Sequence, residues 1–364
     1  MKAAVYVLML AAACRPPGAK KEGACVNIPS TISNEARAFL GALPDLDLAP
    51  PLPAPAEVDK WEKIQREEEA RALEMQKPLV DRLRPTVAKM EIGGVPVLDI
   101  RPRGWKDDGK LLVYTHGGAY TFYSAASTLA CSALAADSTG LRVISIDYTP
   151  APRSKWRRTL AQVTAVFREL GKLGYAMGDI AVLGDSAGGG LAAGSVLKMR
   201  DDGMGMPAAV ILWAPWADIT DTGDSYVTLK RAEPMYVYEK HLKPSADAYA
   251  DPEDQRNAYV SPVYGDFTKG FPPTLIQGGT KEIFLSNFVR LYQALDMAGR
   301  TVKLDLYEGM PHVFQAFIPD SPEAKTALGK VDAFLRLYLR GRANERGNNG
   351  HAGGSVENPR VREG

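Results

Sequence analysis

Residues 184–188 read Gly-Asp-Ser-Ala-Gly, a pattern that can turn a serine hydroxyl into a nucleophile. An apolar run at 180–183 precedes this pentapeptide, and a stretch rich in Ala, Gly and Leu follows it. Strand, sharp turn and helix form the context in which such a serine is presented above a sheet. The flanking positions must be small because the backbone turns tightly there. The pattern therefore predicts Ser186 as a nucleophile, with the backbone N–H of Ala187 directed at the carbonyl under attack.

A serine nucleophile needs a base, and the chain contains four histidines. His351 lies in a Gly- and Asn-rich tail, and His241 lies in a charged stretch that we interpret as a solvated helix face. His116 precedes two glycines, which allow the backbone to approach a ligand closely. His312 lies in a loop directly after a strand-like segment, where a base is usually presented. We therefore expect His312 to be the base.

The base in turn needs an orienting carboxylate. Where a Gly-x-Ser-x-Gly turn carries the nucleophile, the order along the chain is Ser, then Asp or Glu, then His. Glu282 follows a predicted buried strand at 274–277 and fits this order best. Asp218 is the nearest competitor, but it follows an earlier strand and is interpreted as pinning the segment after it. Asp305 would lie within a strand, and Glu308 is too near the histidine along the chain.

Five segments together resemble the bacterial hormone-sensitive-lipase-like carboxylesterases, a branch of the α/β-hydrolase superfamily. They are His116-Gly117-Gly118-Ala119-Tyr120, Asp147-Tyr148 with Ala151-Pro152, Gly184-Asp185-Ser186-Ala187-Gly188-Gly189, Gly279-Thr280-Lys281-Glu282 and His312-Val313-Phe314. The resemblance covers residues 28–340, approximately, and implies the α/β-hydrolase fold. It also implies that the N–H groups of Gly117, Gly118 and Ala187 form the oxyanion hole. A shift of the first two donors to Gly118 and Ala119 stays open.

Several positions depart from the pattern of the family. Ala119 stands where the family has a third glycine, and Arg153 stands where it usually has Glu. Residues 149–150 read Thr-Pro in place of Arg-Leu. Glu282 stands where many relatives use Asp, a change that preserves the chemistry because either carboxylate can accept the imidazole N–H.

The elements that must position these residues are strands alternating with helix-period segments. Strands are predicted at 111–115, 143–147, 180–183, 208–213, 274–277 and 302–307. This alternation indicates the α/β class, with a mostly parallel central sheet and helices on both faces. A helical cap is expected from two segments that lack catalytic motifs, 28–90 and 218–262. The core is then formed by 91–217 and 263–340, and the tail at 341–364 is expected to be disordered.

The composition of the chain restricts the classes of binding partner that are expected. The chain has 364 residues, 45% of them hydrophobic, with 44 basic and 43 acidic side chains, so nothing suggests a nucleic-acid partner. The sequence contains no run of about twenty apolar residues, so it predicts no transmembrane helix. Three cysteines without a Cys-x-x-Cys spacing indicate neither a zinc site nor a disulfide scaffold, and no metal or cofactor is expected. A homodimer is left open.

The first 27 residues resemble a short signal peptide, with one positive charge, an apolar region and an Ala-x-Ala site. Cys14 directly after this site also suggests a lipoprotein. The expected location is therefore periplasmic or lipid-anchored, with the cytoplasm as the alternative.

These observations predict a serine carboxylesterase that cleaves its ester through an acyl-enzyme, using Ser186, Glu282 and His312. The family resemblance implies short- to medium-chain esters as substrates. Five aromatic residues flank the motifs and are expected either to line the substrate pocket or to lie in the core: Tyr120, Phe122, Tyr123, Trp213 and Trp216. A lactonase or an amidase would use the same triad. A non-catalytic small-molecule-binding protein on this fold is the alternative from a different class.

Overall fold

The computed structural model describes residues 27–44, 46 and 49–340. The signal-like segment with Cys14 lies outside the described residues, as does the tail with His351. The expectations about export, lipid attachment and a disordered tail therefore stay predictions.

Within the described residues, an eight-stranded sheet forms the centre of the molecule, in the order β1-β2-β4-β3-β5-β6-β7-β8. The strands are β1 (Thr86–Ile92), β2 (Val95–Arg101), β3 (Leu111–Thr115), β4 (Arg142–Ile146), β5 (Ile180–Asp185), β6 (Ala209–Trp213), β7 (Thr274–Gly279) and β8 (Val302–Tyr307). β2 pairs antiparallel with both β1 and β4, whereas β3 to β8 run parallel. The inner strands β3, β5 and β6 are buried along their whole length, as expected for parallel strands covered on both faces.

Ten α-helices are present in the described residues, and two groups of them pack together. They are α1 (Asn34–Ala42), α2 (Val58–Leu83), α3 (Leu129–Thr139), α4 (Trp156–Lys172), α5 (Ala187–Asp201), α6 (Ser225–Thr228), α7 (Lys243–Tyr249), α8 (Leu285–Met297), α9 (Phe314–Phe317) and α10 (Pro322–Leu335). Helices α3, α9 and α10 pack together, and α4 packs against α5. None of the helices in the described part of the chain has the length and apolar character needed to cross a membrane.

The predicted α/β fold and its mostly parallel sheet are confirmed, and all six predicted strands are present within one or two residues of their expected ends. Strands β1 and β2 were not predicted, and the expected boundary at residue 90 falls inside β1. All but the last residue of β1 are exposed, because β1 lies at the edge of the sheet. A strand exposed on both faces has no alternation of apolar and polar residues by which to recognise it.

Helix α2 and the segment 218–262 lie outside the sheet and are joined through the Pro-rich stretch before α2. The backbone N–H of Leu52 in that stretch donates to the carbonyl of Lys240 at 2.8 Å. Helix α2 packs against α3, and Nε2 of Gln65 donates to the carbonyl oxygens of Thr121 (2.6 Å) and Ala151 (2.8 Å). These bonds fasten α2 to the loops that follow β3 and β4 and support the proposal of a two-segment cap.

Arg153, one of the departures from the family pattern, also contacts α2. Its guanidinium donates to Oε1 of Glu62 from Nη2 at 2.8 Å and from Nε at 3.1 Å. The side chain of Arg153 is 58% exposed, and exposed ion pairs contribute about 0–1 kcal/mol to stability. The departure therefore adds a weak contact between α2 and the loop that follows β4.

Candidate active site

Ser186 lies in the turn between β5 and α5, in the strand–turn–helix context that the sequence predicts. Its backbone has φ 54° and ψ −126°, a strained conformation that few L-residues adopt. Both flanking glycines are required, since a Cβ at Gly184 would lie 2.2 Å from the carbonyl oxygen of Gly188, and one at Gly188 would lie 2.1 Å from that of Thr115. The turn is held because the N–H of Ser186 donates to the carbonyl of Trp213 at 2.8 Å.

His312 and Glu282 form a buried hydrogen-bonded pair. Nδ1 of His312 lies 2.7 Å from Oε2 of Glu282, and Oε1 of Glu282 accepts the N–H of Gly279 at 2.6 Å. Glu282 follows β7 and His312 follows β8, so the carboxyl ends of parallel strands bring both to the same edge of the sheet as Ser186. Because the N–H at Nδ1 donates a hydrogen bond to the carboxylate, the proton of the neutral ring stays on Nδ1. Nε2 therefore keeps its lone pair. Nε2 is buried and has no hydrogen-bond partner among the described residues, so it can accept a proton.

The imidazole of His312 lies in an aromatic, water-poor environment. The rings of Tyr236 and Phe284 contact it edge to face, with centroids 4.9 and 5.3 Å away. Burial lowers the pKa of His312 below its ordinary value, while the carboxylates of Glu233 and Asp185 act in the opposite direction. The lowered pKa keeps the imidazole neutral at neutral pH, the form in which it can act as a base.

Asp218, the competing acid, is engaged elsewhere. Its Oδ2 accepts from Nη1 of Arg290 at 2.7 Å and from the hydroxyl of Tyr264 at 2.8 Å, and its Oδ1 accepts the N–H of Thr220 at 3.0 Å. These partners lie on α8, at the end of the segment 218–262 and next to Asp218 itself. The arrangement agrees with a pinning role for Asp218 and leaves Glu282 as the partner of His312.

The N–H of Gly117, predicted to donate to the oxyanion, has another acceptor in this structure. It donates to Oδ1 of Asp185 at 3.0 Å, and the hydroxyl of Tyr114 donates to the same oxygen. The N–H groups of Gly118 and Ala119 form no hydrogen bond within the part of the chain that the structure describes. The alternative left open by the sequence, a shift by one residue, therefore fits the structure better.

The backbone of this loop is held in an uncommon conformation. Gly118, Ala119 and Tyr120 have φ values of 109°, 52° and 63° in succession. A Cβ at Gly118 would lie 2.4 Å from the carbonyl oxygen of Phe122, so glycine is required there. Ala119 takes a left-handed conformation without glycine's freedom, at a cost of about 1 kcal/mol. Opposite this loop, Ala187 begins α5, so its N–H has no intrahelical acceptor.

Two cavities adjoin this loop, and one of them also adjoins Ser186. The larger has a volume of about 310 Å³ and reaches from Gly118 and Asp185 outward along α2. The smaller has a volume of about 20 Å³ and includes Ser186 in its wall. The two cavities share Gly118 and Tyr123, so they meet at the loop that follows β3.

The five aromatic residues that were expected either to line the pocket or to lie in the core fall into two groups. Phe122 and Tyr123 line the small cavity, and Tyr123 also lines the large one. The other three are buried in the core, where packing rather than substrate surrounds them. Tyr120 stacks on the ring of another tyrosine with centroids 3.8 Å apart, Trp216 stacks on a phenylalanine at 5.6 Å, and Trp213 is fully buried at the end of β6.

Two further histidines are buried near the site. The interpretation of His241 as part of a solvated helix face is wrong: it is 2% exposed, because the π-helical turn Tyr238–Leu242 directs it inward. His116 is fully buried, with its ring stacked on Tyr148 at 4.1 Å. Across the described ranges, no three or more His, Cys, Asp and Glu side chains are grouped so that they could hold a metal ion.

Glu233 belongs to the site and was not predicted. Its Oε1 accepts the N–H of Met235 at 2.8 Å, and its Oε2 accepts the N–H of Ile283 at 3.1 Å. Because Ile283 follows Glu282, this carboxyl ties the segment 218–262 to the loop of the candidate acid. Burial, reinforced by the charge of Glu282, raises the pKa of Glu233 to about 8. No motif in the sequence marks this residue.

Comparison with known protein families matches residues 112–316 to the family described as the α/β-hydrolase fold. This range contains Ser186, Glu282 and His312. An acetyl-hydrolase from Streptomyces hygroscopicus is 35% identical over 237 residues, which are 65% of this chain and 78% of that protein. An esterase from Acinetobacter venetianus is 30% identical over 270 residues, 71% of this chain and 87% of that esterase.

Solved structures of esterases share the architecture. The crystal structure of the esterase E25 matches with a TM-score of 0.78 at 29% identity, over 90% of this chain and 99% of that one. A hormone-sensitive lipase from a metagenome library matches with a TM-score of 0.67 at 27% identity, over 77% of this chain and 99% of that one. The similarity therefore extends over nearly the full length of each solved chain.

Glu233→Gln is expected to change how stability depends on pH. The folded protein keeps Glu233 protonated up to about pH 8, whereas the unfolded chain ionises it near its ordinary pKa of 4.5. Between these values only the unfolded chain loses the proton, so this group makes the free energy of unfolding fall as pH rises. The variant lacks this titration. Its melting temperature relative to wild type should therefore rise from about pH 5 to about pH 8.

The control for this comparison is Glu253→Gln, which changes an exposed glutamate of the same segment. Its melting temperature relative to wild type should stay constant with pH. A constant difference for Glu233→Gln as well, measured by calorimetry across the same range, would contradict the assigned protonation of Glu233.

Proposed function

The chain belongs to the α/β-hydrolase family, in its hormone-sensitive-lipase-like branch of carboxylesterases, and from this premise we propose that it hydrolyses short- to medium-chain carboxylic esters through an acyl-enzyme on Ser186. The observation that carries the proposal is the buried pair of His312 and Glu282 at the same sheet edge as the strained serine turn. The pair leaves one imidazole nitrogen unprotonated and without a hydrogen-bond partner among the described residues.

The first half of the reaction forms the acyl-enzyme. The hydroxyl oxygen of Ser186 attacks the ester carbonyl carbon while Nε2 of His312 takes the hydroxyl proton. Glu282 keeps the other proton on Nδ1 and stabilises the imidazolium that forms. The tetrahedral intermediate collapses, the alkoxide takes the proton from Nε2, and the alcohol leaves.

The second half repeats these steps with water. Nε2 of His312 takes a proton from the water that attacks the acyl carbon, and returns it to the oxygen of Ser186 as the acid leaves. In both halves the negative charge on the carbonyl oxygen is held by the N–H groups of Gly118, Ala119 and Ala187. A donor of this kind contributes about 3 kcal/mol to transition-state stabilisation.

The larger cavity supports the assignment of the substrate. Its wall is mostly apolar, and the residues of α2 that line it are Ala72, Met75, Gln76, Pro78, Leu79 and Arg82. At its outer end Arg82 forms an exposed ion pair with Asp320, 2.7 Å apart. Each methylene moved from water into such a cavity contributes about 0.8 kcal/mol, so kcat/KM should rise about fourfold per added methylene until the cavity is full.

Ser186→Ala should reduce ester hydrolysis by several orders of magnitude, because no acyl-enzyme can form. The assay is the initial rate on p-nitrophenyl butanoate, with folding checked by the melting temperature. Ser195→Ala is the matched control: this serine lies on α5, is 1% exposed and makes no hydrogen bond through its hydroxyl in the described structure. A Ser186→Ala protein that keeps more than a few per cent of the wild-type rate would rule out the mechanism.

Ala72→Phe should shorten the preferred acyl chain by filling the larger cavity from α2. In a p-nitrophenyl ester series from acetate to dodecanoate, the variant should lose kcat/KM on the longer esters and keep it on the shortest. Ala70→Phe adds the same side chain to an exposed position of the same helix and should leave the profile unchanged. Equal profiles for all three proteins would mean that this cavity does not hold the acyl chain.

A further inference from the structure

His241 places a polar group in the wall of the small cavity beside Ser186. The neighbouring wall residues Leu52, Phe122 and Leu242 are apolar. The cavity volume of about 20 Å³ is close to that of a single water molecule, so only a small part of a substrate fits on this side of the serine. The position of His241 is therefore suited to contact a short substituent of the ester.

The hydrogen bonding of the His241 ring fixes its tautomer. Nδ1 accepts the backbone N–H of Val237 at 3.1 Å, so Nδ1 carries a lone pair and Nε2 carries the proton. Burial lowers the pKa of His241 to about 4, and the charge of Lys240 acts in the same direction. At neutral pH the ring is thus an uncharged N–H donor.

The Nε2–H group of His241 forms no hydrogen bond within the described residues. Because His241 lines the small cavity, a bound group with an oxygen atom could accept this N–H, whereas a bound hydrocarbon group would enclose the donor without an acceptor, which costs free energy. The same reasoning explains why sites built around a hydrogen-bonding group reject analogues that lack its partner.

We propose that the Nε2–H of His241 is a specificity-determining donor to an oxygen atom in the short substituent of the ester, beside Ser186. The enzyme then prefers substrates whose short side carries an ether, carbonyl or hydroxyl oxygen over their hydrocarbon isosteres. This proposal rests on the esterase function proposed above. It leaves open whether the short side is the acyl or the alcohol part, and the experiment has one arm for each.

The acyl arm compares p-nitrophenyl methoxyacetate with p-nitrophenyl butanoate, which differ by one oxygen in place of a methylene. The alcohol arm compares 2-methoxyethyl octanoate with butyl octanoate, followed by titration of the released acid. Each ratio of kcat/KM is divided by the ratio for hydroxide-catalysed hydrolysis, which removes the intrinsic reactivity of the esters. In one arm the wild-type protein should show a corrected preference of about tenfold for the oxygen-containing ester.

Three variants distinguish the effect of losing the N–H donor from the effect of disturbing the segment that carries it. His241→Asn can accept the N–H of Val237 but has no donor at the Nε2 position, so its corrected ratio should fall close to one. His241→Gln can place an amide N–H near that position and should keep most of the preference. Val227→Ala, an exposed change in the same segment, should keep the wild-type ratio.

A corrected wild-type ratio of one in both arms would overturn the proposal, and this result needs no variant to fold. Equal loss of the preference in His241→Asn and His241→Gln would also overturn it, since the effect would then come from the disturbed segment. A wild-type protein that hydrolyses none of the esters would instead contradict the proposed function itself.

Discussion

The candidate site depends on one buried hydrogen bond, between Nδ1 of His312 and the carboxylate of Glu282. Two chain segments must approach very closely to form it. A Cβ at Gly279 would lie 1.9 Å from the carbonyl oxygen of Met310, so only glycine at the end of β7 lets the loop of His312 pass. The same glycine donates its N–H to Glu282, and Lys281 donates its N–H to Met310. The sheet edge therefore positions acid and base through backbone contacts.

The segment 218–262 completes the environment of this pair. Glu233 joins the segment to the backbone next to Glu282, and Tyr236 covers the imidazole of His312 edge on. The same segment brings His241 into the cavity beside the serine. The segment 218–262 thus contributes both to the low polarity around the base and to the wall of the small cavity.

The candidate catalytic residues could be selected from the sequence because their types, motifs and order along the chain restrict the choices. A lone histidine in a loop after a strand and a glutamate after the preceding strand leave few alternatives, and buried strands such as β5 are recognisable as apolar runs. The burial of His241 could not be predicted, because its charged neighbours point outward while a π-helical turn directs the imidazole inward. The N–H of Gly117 donates to Asp185 at the end of the neighbouring strand β5, a contact that no local sequence pattern indicates.

The measurement that tests the account most directly is the turnover number of Glu282→Gln beside that of Asp218→Asn. The glutamine keeps the shape of Glu282 but loses the charge and can present its amide nitrogen to His312, so kcat should fall by about 10⁴ with a nearly unchanged melting temperature. Asp218→Asn breaks the pair with Arg290 and should lower the melting temperature while keeping much of kcat. An active Glu282→Gln beside a folded but inactive Asp218→Asn would contradict the account and assign the acid to Asp218.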